Sequence, residues 1–121
     1  MKLDFESPDE RRELAGGLVT VDVVRVGEVP VLRVAHAPGW RWSQHSGPEH
    51  GHGRCPNVHL GVMTGGQMMV ELEDGTVYEA ATGDVVAIPP GHDAWTVGDE
   101  PAVLVQVDEG ESARARYGPF R

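Results

Sequence analysis

The sequence predicts an all-β domain, a sandwich or barrel of short strands, and three observations carry that reading. Glycine and proline contribute 16 and 9 of the 121 residues, about a fifth of the chain against roughly 12% in average proteins. Valine-rich segments alternate apolar and polar positions with a period near two, the pattern of half-buried strands. Turn residues separate those segments, Asp74-Gly75 giving the strongest short hairpin signal. With 40% hydrophobic residues and no low-complexity tract, the chain has enough apolar surface for a core. Residues 1–121 suit one domain, with no linker and no internal repeat.

The elements follow in order. Ser7 as cap, Pro8 at the first helical position and Glu10 at the capping-box position predict a short N-terminal helix over about residues 8–15. Ala15-Gly16-Gly17 stops it. Leu18–Val26 and Pro30–Ala35 read as two strands joined by a tight turn at Gly27-Glu28. Trp40–Ser43 reads as a short strand, followed by a loop over residues 44–54 that holds three glycines and three histidines. Val58–Met63, Gln67–Glu73, Thr76–Ala81, Asp84–Ile88, Ala94–Val97 and Ala102–Val107 complete eight or nine strands, the count of a sandwich or barrel. Residues 109–121 carry three arginines without a clear apolar face and read as a short helix or a frayed tail.

Charge and cysteine count narrow the function. Nineteen acidic against ten basic residues give a formal net charge of -9, the opposite of the basic footprint that nucleic acid or an anionic membrane requires. Neither is an expected partner. No apolar run approaches the roughly 18 residues of a membrane span. The first six residues place acids where a signal peptide carries positive charge, so the expected compartment is the cytoplasm, which suits a free thiol. One cysteine excludes an internal disulfide and any four-cysteine zinc cluster. No Gly-x-Ser-x-Gly, phosphate-cradling loop or dinucleotide fingerprint is present. Nothing in the sequence places a histidine to activate the thiol, so cysteine nucleophile chemistry is not expected.

The segment Gly83-Asp84-Val85-Val86-Ala87-Ile88-Pro89-Pro90-Gly91-His92 resembles the second motif of the cupins, in which a glycine and five residues precede Pro-x-Gly. His59-Leu60-Gly61-Val62-Met63-Thr64-Gly65-Gly66 resembles the end of their first motif, and Asp74-Gly75 falls at the intermotif hairpin. Pro38-Gly39-Trp40-Arg41-Trp42-Ser43-Gln44-His45, Pro90-Gly91-His92-Asp93-Ala94-Trp95 and Gly98-Asp99-Glu100-Pro101 resemble a group of short bacterial single-domain cupins. The resemblance runs from about Ser7 to Val107. It implies a double-stranded β-helix, the jelly-roll barrel, often assembled as a homodimer. It also implies a divalent metal inside the barrel and an oxygenase or isomerase type of activity on a small organic molecule.

The cupin ligand set is matched only in part. His59 stands at the glutamate position of the first motif, Cys55 at its second histidine and Gly53 at its first. Ala94 occupies the histidine position of the second motif, and His92 lies two residues earlier. Side chains alternate along a strand, so positions 92 and 94 share a side if the backbone is extended, about 6.6 Å apart. By the same parity Cys55, Asn57 and His59 share a face. His45 is a further nitrogen donor. Histidine nitrogens with a thiolate suit zinc, iron, nickel or copper rather than magnesium or calcium.

Each of these residues also has a structural reading: a hydrogen-bonded histidine at 59, 92 or 45, or an inert buried thiol at 55. His50-Gly51-His52 has the His-x-His spacing but leads onward to Asn57 rather than a glutamate, and reads first as a solvated loop. His36, at a strand end, reads as structural. Trp40, Trp42 and Trp95 read as core or as the apolar wall of a ligand pocket, with Asn57 as a polar group in it and Arg41 on the surface. Three functions remain open: a metal-dependent enzyme, a non-catalytic binding or sensor barrel that has lost the metal, or an accessory domain that works through its dimer surface.

Overall fold

A computed structural model of the chain describes residues 2–51 and 53–107; His52 and the predicted 109–121 tail lie outside the described residues. Among the described residues, nine strands form two sheets. They are β1 (Glu10–Leu14), β2 (Val19–Val26), β3 (Val29–His36), β4 (His59–Gly65), β5 (Gln67–Glu71), β6 (Val77–Ala81), β7 (Val85–Ile88), β8 (Asp93–Val97) and β9 (Ala102–Val107). The larger sheet has the order β1-β2-β3-β9-β4-β7 and the smaller one β6-β5-β8. Every strand pairing is antiparallel. The inner faces of the two sheets close on one core built from Val21, Val23, Leu32, Met63, Met68, Val70 and Leu104, all buried.

The period-two reading places the strands because alternation decides which face is inward. In β9, Ala102, Leu104 and Gln106 are buried and Val107 is exposed. In β3, Leu32, Val34 and His36 point inward and Arg33 outward. The β2–β3 hairpin turns at Gly27, whose φ of 64° supplies the left-handed geometry that a two-residue loop needs. Its register, Val26 opposite Val29 through Val19 opposite His36, holds for the full length of both strands.

Two local expectations are corrected. The N-terminal helix predicted over about residues 8–15 is instead strand β1, followed by a tight 3-10 turn at Ala15–Gly17. Glu10–Leu14 also alternates, and the long valine row of β2 offers it a partner. Arg11 pairs in register with Asp22 and donates to it from Nε. Asp22, buried, also accepts from Arg33 of β3 at 2.8 Å, so one carboxylate ties three strands together. Tertiary pairing overrides a helix start signal with so few residues behind it. The second correction concerns residues 40–54, read as a strand and a loop. Only Arg41 makes a strand-like bridge, to Trp95. The chain then forms a π-helical turn at Trp42–Ser46 and a single α-helical turn at Gly47–His50, with Pro48 at its start.

Candidate metal centre and pocket

Three side chains with metal-binding atoms meet at one end of the barrel. Cys55 is buried and makes a strand-like bridge to His92, with the Cys55 N–H donating to the His92 carbonyl at 2.8 Å. His59 opens β4 opposite Ile88 of β7. His92 follows the Pro89-Pro90-Gly91 turn, whose Gly91 has a φ of 87° and donates from its N–H to the Cys55 carbonyl. The ligand atoms of Cys55, His59 and His92 all lie within 4.8 Å of one another. Cys55 Sγ is 3.6 Å from His59 Nε2, and the two imidazoles stand edge to face with centroids 5.1 Å apart.

Each imidazole is fixed by a partner on its far nitrogen. His92 Nδ1 donates to the Pro89 carbonyl at 2.6 Å, because a carbonyl can only accept. In the neutral ring the lone pair is then on Nε2. His59 Nδ1 is 3.1 Å from Gln106 Oε1 of β9, and donation to that oxygen likewise puts the lone pair on Nε2. An imidazole that donates one nitrogen to a carbonyl and presents the other is the usual arrangement of a metal ligand. Gln106 was not among the residues singled out from the sequence. Its signal was present, a polar residue at the inward parity of Ala102 and Leu104. Gly61 makes room for it: a Cβ there would stand 2.3 Å from the Val105 carbonyl oxygen and 3.1 Å from the Gln106 Cβ.

The cluster opens into a cavity of about 60 Å³ whose wall is mostly apolar, with Val34, Trp40, Trp42, Met68 and Leu104 among its lining residues. At about 30 Å³ per water in the liquid, that volume corresponds to roughly two waters. The 42–50 helical segment forms one side of it. Asp93, buried at the start of β8, holds that segment: it accepts from the Ser43 N–H at 3.0 Å, the Ser43 hydroxyl at 2.8 Å and the Arg41 guanidinium at 2.9 Å.

Searches against family models and against curated proteins found no match. Solved structures do match. A sugar phosphate isomerase of the cupin superfamily from Silicibacter pomeroyi superposes with a TM-score of 0.61 at 20% identity, over 88% of this chain and 74% of that one. The cupin domain of Cnp3 from Schizosaccharomyces pombe gives 0.56 at 12% identity, over 93% and 77%. The chain has the cupin fold. A protein of unknown function from Acidithiobacillus ferrooxidans gives 0.61 at 13% identity, over 89% and 94%.

Within this cupin barrel, the residues read from the sequence divide into three groups. Cys55, His59 and His92 come together, and His92 and Ala94 both line the cavity, as the parity of an extended chain requires. Trp40 and Trp42 are buried in its wall. His45, Asn57 and Trp95 are not part of that wall. His45 folds back on its own turn, its Nδ1 accepting from the Arg41 N–H at 3.0 Å. Asn57 is half-buried between exposed Pro56 and Val58, in the alternation expected of positions 55, 57 and 59, but it does not line the cavity. Trp95 faces away from the cavity, under the Arg41 guanidinium at 4.4 Å, so Arg41 is half-buried rather than a plain surface residue. Two histidines read as solvated or structural do reach the cavity. His50 stacks on Trp42 at its mouth, and His36 lies in its wall. The sequence alone places no histidine to activate the thiol as a nucleophile; in the structure His59 Nε2 lies 3.6 Å from Cys55 Sγ.

The cluster fits a transition metal. Zinc–sulfur and zinc–nitrogen bonds of about 2.3 and 2.0 Å at a tetrahedral angle separate sulfur and nitrogen by roughly 3.5 Å, against 3.6 Å between Cys55 and His59. Three protein donors would leave the fourth position of a tetrahedral site free.

Proposed function

We propose that this chain is a small cupin that holds one divalent transition metal on Cys55, His59 and His92 and acts on a small organic molecule bound in the barrel. The observation that supports it is the convergence of one thiol and two oriented imidazoles at the end of an apolar cavity. A thiolate with two imidazoles selects zinc, iron, nickel or copper. The bound metal would supply Lewis acidity at a substrate oxygen, as an isomerase uses, or, if redox-active, activation of dioxygen, as an oxygenase uses. The rest falls to the chain's own residues. Gln106 and the Pro89 carbonyl fix the two imidazoles, and Trp40 and Trp42 exclude water from the bound molecule.

Elemental analysis of protein purified without an affinity tag is expected to give close to one metal per chain. Cys55→Ser, His59→Ala and His92→Ala should each lose it, and His45→Ala and His50→Ala should keep it. Metal-free protein that takes up none of the four metals ends this reading. The second reading, a non-catalytic binding or sensor barrel, is favoured by Ala94, which stands in the cavity wall where the cupin resemblance implies a third histidine.

The proposal places the protein in the cytoplasm as a homodimer. No described helix is long and apolar enough to cross a membrane. The outer face of β9, β4 and β7 supports self-association. Val105, Val62 and Val85 lie in one cross-strand row, and Leu60 and Val85 are 63% and 79% exposed on that face. Contiguous exposed apolar surface of this kind marks interaction sites. Sedimentation is expected to report a dimer for the native chain and a monomer for the Leu60→Lys/Val85→Lys double variant; a native monomer removes the assignment.

A further inference from the structure

The cavity wall carries two further polar residues, His36 and Ser46. His36 is the last residue of β3 and points inward, with its Nδ1 2.9 Å from the Ala102 carbonyl of β9. A carbonyl only accepts, so Nδ1 carries the proton and donates it. The opposite edge of the ring, Nε2, then carries a lone pair, and no group among the described residues hydrogen-bonds to it. Burial holds the ring neutral, with its pKa pushed down to about 4. The ring packs on Trp40 at 4.4 Å between centroids. The Trp40 indole N–H donates to Ser46 Oγ at 3.0 Å. Ser46 is itself buried in the cavity wall, and its hydroxyl proton has no acceptor among the described residues. One acceptor and one donor therefore flank the same indole, both belonging to the cavity wall.

Both groups line the cavity, and a ligand group of the right chemistry adds a hydrogen bond to each, about 0.5–1.5 kcal/mol net apiece. A carboxylate or a fully ionised phosphate does not suit the pair, because it has no proton for His36 Nε2. An ammonium has no acceptor for Ser46. A hydroxyl answers both at once.

We propose that His36 and Ser46 form the subsite for a hydroxyl group of the bound molecule, His36 Nε2 accepting the hydroxyl proton and Ser46 Oγ donating its own proton to the hydroxyl oxygen. This deepens the reading of the barrel as a small-molecule site and does not depend on the metal. The ligand class that follows is a small hydroxylated molecule whose apolar portion lies against Trp40 and Trp42.

The test uses two isomers, 1-propanol and methoxyethane, titrated into metal-free and zinc-loaded protein and followed by the ring-nitrogen NMR signals of the histidines. Both can accept from Ser46, and only the alcohol can donate to His36. The alcohol is expected to bind about tenfold tighter, as one net hydrogen bond near the top of the usual range would give, and to move the His36 Nε2 signal. That preference should vanish in His36→Phe and persist in part in His36→Gln, whose amide oxygen still accepts. Ser46→Ala should weaken both probes together. Equal affinity for the two isomers, or a preference retained in His36→Phe, overturns the hydroxyl subsite and leaves the barrel's ligand-holding role standing. Failure of both probes to bind native protein overturns the ligand site itself. The native-protein NMR shift decides the matter even if His36→Phe does not fold.

Discussion

Gly61→Ala is expected to destabilise the protein by about 3 kcal/mol and to loosen the metal site in the same step. The added Cβ would stand 2.3 Å from the Val105 carbonyl oxygen, well inside van der Waals contact. Backbone opposes it rather than the far end of a flexible side chain, so β4 and β9 must separate. Overpacking a close-packed interior costs about 1–3 kcal/mol, and more where backbone has to shift. The displaced segment includes Gln106, directly opposite Gly61 in the strand register. Its amide oxygen fixes the His59 ring, so zinc affinity should fall along with stability, by the 10- to 100-fold typical of lost outer-shell partners. Denaturant unfolding gives the first quantity and competition with a chelator the second. Gly53→Ala is the control. Its Cβ would meet nothing within 4 Å, and a change below about 0.5 kcal/mol is expected there. A Gly61→Ala protein with native stability would mean that β4 and β9 do not approach as described.

Acidification should cost nearly as much, through His36. Its pKa is pushed down to about 4 from 6.5, because burial disfavours the charged ring more strongly than the Ala102 carbonyl favours it. Above pH 6.5 the ring is neutral in both folded and unfolded chains. As pH falls below 6.5 the unfolded chain takes up a proton that the folded barrel refuses. The stability present at neutral pH is lost progressively, and the loss levels off once pH passes below about 4. A shift of 2.5 units at 1.36 kcal/mol each sets the full loss at about 3 kcal/mol. Urea midpoints at pH 7 and 4.5 measure most of it. The difference between the two should shrink in His36→Gln, which lacks the titrating ring. An unchanged difference would assign the acid sensitivity to other groups.

The strands were legible because alternation and turn chemistry agree along most of the chain. Leu32, Val34 and Val21 could be assigned inward, and Gly27 and Asp74-Gly75 marked their turns. Glu10–Leu14 was not legible because two local signals compete there. The Ser7-Pro8 start favours a helix, and only the neighbouring β2, absent from any local reading, decides for strand. Trp40 and Trp42 misled differently. Their spacing fits one strand face, yet Trp42 begins a helical turn that the buried Asp93, fifty residues away, holds in place. Cys55, His59 and His92 could be singled out by comparison with the cupin motifs. What no motif conveys is that Asn57, half-buried in step with Cys55 and His59, stays out of the cavity wall. His36 was read as structural, which describes only its Nδ1 edge. Its parity with Leu32 and Val34 was the available sign that the ring faces inward.

Two histidines of the cavity wall hang from one strand. His36 is fastened to the backbone at Ala102 and His59 to the side chain of Gln106, four residues apart on the inward face of β9. At about 3.3 Å per residue that interval is roughly 13 Å, set by strand pitch and flanked by hydrogen-bonded neighbours on both sides. The chamber therefore contains a built-in ruler. Loop substitutions at its mouth can change which molecules enter, but the spacing of the two anchor residues along β9 is fixed by peptide geometry.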